Sequence, residues 1–460
     1  MWLAVSSVLR QLTEEWGPYE AVTLYLDRCQ VDTPPDVVAA VWRHIGERRR
    51  RVVKVVDFGA GDGRFSTVGK YETYVGYEID LDRSGTSKLP RRASLINRCA
   101  FADVIDDADV CIGNPPYVRN QDLPDGWRQR AAKVIRERTG VSISGLANAW
   151  QYFALLALAS TKSDGLVALV IPFEWVSRPS ARALRAYIKK NGWDVATYRL
   201  RDETFQGVLT TSSITIIDKR DASGKWEYFE ENHDGSYRPL PSPSGTNAGV
   251  LTYAKRSADK HGTVFVRRGL SPGTQQVLTL TEAERARLGL EIDCDVVPCV
   301  TSLRSLPPEC LTLTVAIFRK LFREAGMKCW LIRTDQPPSP KLKAYLDGVP
   351  AAQRATKTCN LRDDWWKFAM PDIPAVIVAS GFRGPRPKAV VNDVNARAVG
   401  AVFGIYGLSA VRARSLAKHL SAIDLTGRIV SHSNGLRKLE PRQLHTLVAR
   451  FQSRIRKVPS

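Results

Sequence analysis

The run Val52-Val53-Lys54-Val55-Val56-Asp57 passes straight into Phe58-Gly59-Ala60-Gly61-Asp62-Gly63. No other junction constrains the fold as tightly. A short apolar run closed by a glycine cluster reads as a strand buried on both faces, the habit of a parallel sheet covered by helices. Glycines at 59, 61 and 63 let the backbone turn sharply and approach a ligand closely. No Gly-Lys-Ser/Thr follows, so this is not the phosphate-cradling loop of an NTPase. Asp57 and Asp62 suit a cationic ligand better than a pyrophosphate.

A second strand, Thr73 to Tyr77, ends at Glu78, 21 residues beyond Asp57. An acid at that offset, at the tip of the neighbouring strand, is where a ribose diol is gripped. Asp103, in Ala100-Phe101-Ala102-Asp103, is placed to accept from an adenine amino group. Upstream, Thr33-Pro34-Pro35 begins a helix, with Thr33 as its N-cap and proline in the first turn. Strand and helix patterns alternate from residue 52 to about 200, as a doubly wound parallel sheet requires. Val195–Leu200 and Ser212–Asp218 read as a closing strand pair. Residues 1–30 read as helical and flanking the ligand site.

Another apolar run, Ala108 to Gly113, leads into Asn114-Pro115-Pro116-Tyr117. In an open α/β sheet the C-terminal ends of the strands are where ligands bind. Each proline lacks an N–H and fixes φ, and the residue before a proline is pushed to extended backbone. The segment is therefore stiff, and its carbonyls stay out of any local helix. The Asn114 side chain adds a carbonyl acceptor. Two acceptors converging on one NH2 group bind both hydrogens and leave the nitrogen lone pair aimed at an electrophile. Tyr117 offers a flat face for stacking an extruded planar group.

Taken in order, Thr33-Pro34-Pro35, the Asp57–Phe65 loop, Glu78, Asp103 and Asn114–Tyr117 resemble the amino-DNA methyltransferases of the γ class. Leu146–Phe153, Gly165–Pro172, Thr204-Phe205 and Thr211–Ile217 continue the likeness. The resemblance implies a class I S-adenosylmethionine (SAM) methyltransferase fold, a Rossmann-like doubly wound α/β sheet with an antiparallel closing strand. A C-terminal mixed α+β target recognition domain would follow it. It implies that Thr33, Asp57, Gly59, Gly61, Glu78 and Asp103 hold SAM. Asn114 and the Pro115 carbonyl would take the N6 hydrogens of an adenine flipped from duplex DNA, with Tyr117 and Phe205 stacking on its ring. No metal is required. Asn rather than Ser at 114 points to adenine N6 over cytosine N4. Arg267 to Thr274 resembles the entry to such recognition domains, and Arg383, Arg386 and Lys388 fall in what resembles their later part. Arg267, Arg268, Arg383, Arg386 and Lys388 become the candidate DNA contacts.

Charge supports a polyanionic partner. Residues 1–250 hold 33 Lys+Arg against 31 Asp+Glu, whereas residues 251–460 hold 34 against 16. A near-neutral half joined to a basic half is the footprint of nucleic-acid binding. Phe229 to Val250 is rich in Pro, Gly and Ser and reads as a linker. The division expected is thus a catalytic domain at 1–228, a linker at 229–250 and a DNA recognition domain at 251–460. The tryptophans Trp365 and Trp366 read as core, and Leu408–Leu420 and Pro441–Ile455 as basic amphipathic helices. The eight cysteines form no Cys-x-x-Cys pair, which reads as reduced thiols in a cytoplasmic, nucleoid-associated bacterial protein. No apolar run is long enough to span a membrane. No nuclease signature occurs, so a cognate restriction endonuclease would sit on a separate chain. Two other readings stand beside this one. The same tetrapeptide serves enzymes that methylate RNA adenines or a protein glutamine amide, and a non-catalytic DNA-binding subunit could retain SAM as a structural ligand.

Overall fold

A computed structural model describes residues 31–84, 88–103, 105–205, 210–220, 222–241, 264–426, 428–429, 431–433 and 436–456. The chain divides into two compact units: Met1–Asn247 with His432–Asn434, and Ala248–Ser431 with Gly435–Ser460. The segment 1–30, read as helical, lies outside the described residues, as do residues 242–250 of the expected linker.

The first unit is built on a nine-stranded sheet. Its strands in chain order are β1 (Lys54–Phe58), β2 (Thr73–Glu78), β3 (Ala93–Asn97), β4 (Ala108–Gly113), β5 (Thr161–Pro172), β6 (Asp194–Arg199), β7 (Ser212–Asp218), β8 (Trp226–Glu231) and β9 (Tyr237–Pro239). Their spatial order is β3-β2-β1-β4-β5-β7-β6-β8-β9. Strands β1 to β5 are mutually parallel, and β7 runs antiparallel to both β5 and β6. The order reverses between β1 and β4, which places the topological switch point, and hence the ligand crevice, at their C-terminal ends. The closing strand pair falls where the sequence puts it, and β7 supplies the antiparallel closure.

Helices α1 (Pro35–Arg48), α2 (Asp125–Thr139), α3 (Ala149–Ser160) and α4 (Arg182–Lys190) accompany the sheet. α1 buries Val37, Val38, Val41 and Ile45 in one core with Val55, Val110, Ile112, Ala168 and Ile214 from the sheet. α3 is apolar nearly all round and is buried along its length, as a helix must be that has no polar face to offer water. The buried Arg49, just past α1, donates to both oxygens of Asp218 at 2.9 and 2.6 Å and to the Asp164 carbonyl at 2.9 Å. This pins the end of α1 to the end of β7.

Three strands escape the sequence pattern. β3 shows no clean burial alternation, because it is a half-exposed edge strand. The stretch from 229 read as linker begins inside β8, which pairs parallel with β6, and it also contains β9. The Pro- and Gly-rich composition there hides two short strands at the sheet margin, where turn residues are tolerated.

The second unit mixes α and β. A five-stranded sheet runs in the order Phe265–Arg268, Val402–Tyr406, Val376–Ala379, Ala389–Asn392, Thr312–Leu313. Helices α5 (Ala410–Ala422) and α6 (Pro441–Arg456) share a core with it. Leu416, Leu420, Leu444 and Leu447 cluster there with Val376, Val378, Phe403 and Ile405. The apolar stripes expected at 408–420 and 441–455 are thus core-facing. A further four-stranded sheet lies in a second cluster, which includes the buried Trp366 and packs the partly buried Trp365. Among the described residues no helix is long and apolar enough to cross a membrane.

Candidate active site

The site is assembled at the ends of β1, β2 and β4. Asp57, in β1, is fully buried. Its Oδ2 accepts the Tyr74 hydroxyl at 2.5 Å, and its Oδ1 has no partner among the described residues. Burial pushes this carboxyl up to about 7, against the opposing hydrogen bond from Tyr74. A carboxylate kept dry and half-satisfied favours a nearby positive charge.

The glycine loop then folds across the end of β2. Gly59, Gly61 and Gly63 take φ of 84°, 58° and 72°, a region that costs other residues strain. The Gly59 and Ala60 amides both donate to the Tyr77 carbonyl at 2.9 Å. The Gly61 amide donates to Glu78 Oε2 at 2.7 Å, while Glu78 Oε1 accepts from the Ile79 and Asp80 amides at 2.9 Å. Glu78 is thereby held as a buried carboxylate against the loop. Arg64 grips Asp62 through both carboxylate oxygens and donates to the Thr33 carbonyl at 2.9 Å. Although burial opposes its ionisation, those bonds hold Asp62 below the usual carboxylate range. Asp103 is half-buried, and its Oδ1 accepts from Arg98 at 2.8 Å. Burial, then the Asp103 charge, pushes the Tyr77 hydroxyl up to about 12.

β4 delivers Asn114 and the prolines to the same edge. Gly113 sits at φ 143°, and a Cβ there would lie 2.3 Å from Asp57 Oδ1. A Cβ on Gly59 would meet Pro116 Cδ at 3.3 Å. The glycine loop and the tetrapeptide are therefore in direct contact. Asn114 Nδ2 donates to Thr33 Oγ1 at 3.1 Å and to the Val31 carbonyl at 3.4 Å. Its Oδ1 is buried and has no partner among the described residues. Pro115 is buried. The Tyr117 hydroxyl donates to the Val170 carbonyl at 2.9 Å and lies 3.4 Å from Ser212 Oγ, which anchors the ring to β5 and β7. Burial pushes that hydroxyl well above its ordinary value. Downstream, the Ala149 amide donates to the Val118 carbonyl at 2.9 Å, and the Asn120 amide donates to Asn148 Oδ1 at 3.1 Å. The start of α3 thus braces the loop after Tyr117.

Some expected roles change. Thr33 does not cap α1: Pro34 is the N-cap residue, with its carbonyl accepting from Val38 at 3.1 Å. The Thr33 side chain turns instead to Asn114. Phe205 is only 7% exposed and packs in the core cluster with residues of α1 and the sheet; stacking on a base would require it to leave that cluster. In the second unit Arg267, Arg268, Arg383 and Arg386 are exposed. Arg267 pairs with Asp372 at 3.1 Å. Lys388 is half-buried, and its ammonium donates to the Leu306 and Arg304 carbonyls, so its charge is committed inside the unit. Among the described residues no three His, Cys, Asp or Glu side chains converge as a metal site requires.

Residues 77–197, which carry Glu78, Asp103 and the tetrapeptide, match the model of the Eco57I restriction-modification methylases. That match lies wholly within the first unit. The chain is similar to the Type II methyltransferase M.XamI of Xanthomonas campestris pv. amaranthicola. The two are 22% identical over 433 residues, 86% of this chain and 80% of that one. Among solved structures, it is similar to the methyltransferase subunit of a type I restriction-modification system from Streptococcus thermophilus, with 16% identity and a TM-score of 0.37. That alignment covers 44% of this chain and 47% of the other. A class I SAM-dependent methyltransferase described as putative, from Listeria monocytogenes, aligns at 17% identity and a TM-score of 0.34. It covers 43% of this chain and 65% of the other. The chain thus spans about half to two thirds of those two structures.

The residues of the site fit SAM on the observed chemistry. The unpartnered Asp57 oxygen would face a cation, the positive-φ glycines leave room for close approach, and Glu78 stands at the end of β2. Bound SAM would supply an electrophilic methyl group. The sequence reading missed three side chains of this site: Tyr74, which partners Asp57; Arg64, which ties Asp62 to Thr33; and Arg98, which pairs with Asp103. Register was the available signal for the first. Tyr74 pairs with Val55 in the strand beside Asp57, and a buried acid at a strand end calls for a neighbouring donor.

Proposed function

We propose that this chain transfers the methyl group of SAM to N6 of an adenine flipped out of duplex DNA, at a specific sequence. The observation that carries this reading is the Asn114 side-chain oxygen, buried, unpartnered among the described residues and beside the Pro115–Pro116 segment. A buried acceptor left unmade costs about 1–3 kcal/mol. Such a group is retained where a ligand donor completes it. In this reading Asn114 Oδ1 and the Pro115 carbonyl accept the two N6 hydrogens. Tyr117, anchored through its hydroxyl, presents its ring to the base. Asp57, Gly59, Gly61, Glu78 and Asp103 hold the cofactor, while Thr33, expected with them, has its hydroxyl on the Asn114 amide. No side chain acts as a nucleophile: the protein aligns the amine and supplies a prepared acceptor pocket. Double-stranded DNA is the partner, held by the basic second half through Arg267, Arg268, Arg383 and Arg386. A restriction endonuclease on a separate chain completes the system, in a bacterial cytoplasm. The division into a catalytic domain and a DNA recognition domain goes with the same reading.

The test is transfer of labelled methyl from SAM to duplex DNA, RNA or protein in parallel. Label on DNA adenine N6 is the expected result. Label on RNA or a protein glutamine alone overturns the substrate, and no transfer to any acceptor favours a non-catalytic subunit. Asn114→Ala is expected to abolish transfer while SAM still binds; wild-type turnover in that variant removes Asn114 from its role.

A further inference from the structure

Resting on the reading above, we infer that Thr33 is a positioning residue for the methyl acceptor: its hydroxyl holds the Asn114 amide in the orientation that the Val31 carbonyl sets. An Asn side chain has two near-isosteric orientations that exchange a donor for an acceptor. Only one of them can receive an amine hydrogen. One contact selects it and a second holds it. The Val31 carbonyl can only accept, so the group turned toward it at 3.4 Å must be Nδ2. Thr33 Oγ1 accepts from the same nitrogen at 3.1 Å. With both contacts made, Oδ1 is left buried and, among the described residues, unpaired. Turning the amide over would put oxygen against the Val31 carbonyl and two N–H groups where the target's own N–H groups must arrive.

The support for Thr33 is itself built in. The residue is 3% exposed, and its carbonyl accepts from Arg64, which also holds Asp62 of the glycine loop and pairs with Asp32 at 2.9 Å. The segment before α1 is therefore tied to the cofactor loop on one side and to Asn114 on the other. A cap for α1 would have turned this hydroxyl toward the helix, but Pro34 takes that place. In the structure the Thr33 side chain serves the acceptor.

The experiment compares Thr33→Val, which keeps the shape and removes the hydroxyl, with Thr33→Ser, which restores it. Full-length protein is used, with single-turnover methyl transfer and SAM affinity measured separately. Loss of orientation at a reacting centre can lower a rate by about a hundredfold. The expected result is a fall of about tenfold to hundredfold in the single-turnover rate of Thr33→Val, with SAM affinity held within about threefold. Thr33→Ser should recover most of the rate. In an Asn114→Ser background, where no amide is left to orient, Thr33→Val should change nothing further. A wild-type rate in Thr33→Val overturns the inference. So does a loss matched by an equal loss of SAM affinity, or an undiminished effect in the Asn114→Ser background. Failure of the wild-type protein to methylate any acceptor overturns the proposed function instead, and the two failures are read from different samples.

Discussion

Gly113→Ala is the substitution whose cost the structure specifies most directly. Gly113 ends β4 and immediately precedes Asn114. Its φ of 143° lies where residues with a side chain are strained, at a cost of about 1–3 kcal/mol. The new Cβ would also stand 2.3 Å from Asp57 Oδ1 and 3.2 Å from its Cγ. The carboxyl has little freedom to retreat: Asp57 is 0% exposed and its other oxygen is held by Tyr74 at 2.5 Å. Overpacking of this kind costs about 1–3 kcal/mol. The two effects together come to about 2–6 kcal/mol, a large part of the total stability of an ordinary domain. Peptide-resolved hydrogen exchange on β1 and β4 reads the opening free energy where the strain is introduced. Asp57→Ala in the same chain removes the clash and leaves the φ strain, so about 1–3 kcal/mol of the cost should vanish in the double variant. A change below about 0.5 kcal/mol in Gly113→Ala, or strict additivity with Asp57→Ala, would refute the reasoning.

The Asp57 carboxyl also gives a pH signature. Its folded value, raised by burial to about 7 from an ordinary 3.8, means that the folded state binds the proton more tightly than the unfolded chain. This contribution to stability is present below the unfolded value and is lost as pH rises through the folded one, a difference of up to about 4 kcal/mol. Comparing wild type with Asp57→Asn from pH 4 to pH 8 should show that component disappear, and parallel curves would remove it. Arg49→Ala breaks a buried pair with Asp218 whose side chains are 5% and 14% exposed. A loss of about 3–5 kcal/mol is expected, seen as a clear drop in the melting temperature of the first unit, and an unchanged transition contradicts it. DNA affinity should fall steeply with salt, and Arg386→Gln should reduce the slope by about one phosphate contact. Lys388→Gln should leave that slope alone, because its ammonium is already spent on carbonyls. A flat salt response would separate the basic half from DNA binding.

The first half was legible because its signals are local. A buried parallel strand declares itself as an unbroken apolar run, so β1, β4 and β5 are plain in the sequence, and each ends in residues whose chemistry is visible where they stand. Strands at the sheet margins carry no such run, which is why β3, β8 and β9 were not visible. In the second half, the apolar stripes at 408–420 and 441–455 announced helices, but basic side chains look alike in a sequence whatever they touch. The tertiary structure distinguished Lys388, folded onto the Leu306 carbonyl, from the exposed Arg383 and Arg386.

By itself, then, the sequence determined the sheet type, the glycine loop, the acids at 57, 78 and 103 and the stiff Asn-Pro-Pro-Tyr segment. All of these follow from residue type and short-range spacing. Only the tertiary structure decided which groups are satisfied. It turned Thr33 away from its helix and toward Asn114, 81 residues on. It gave Asp57 one partner where two oxygens needed them, required glycine at 113 by the proximity of that same carboxyl, and placed Phe205 in the core. Hydrogen-bond satisfaction is settled between distant segments as the chain closes, and no local pattern encodes it.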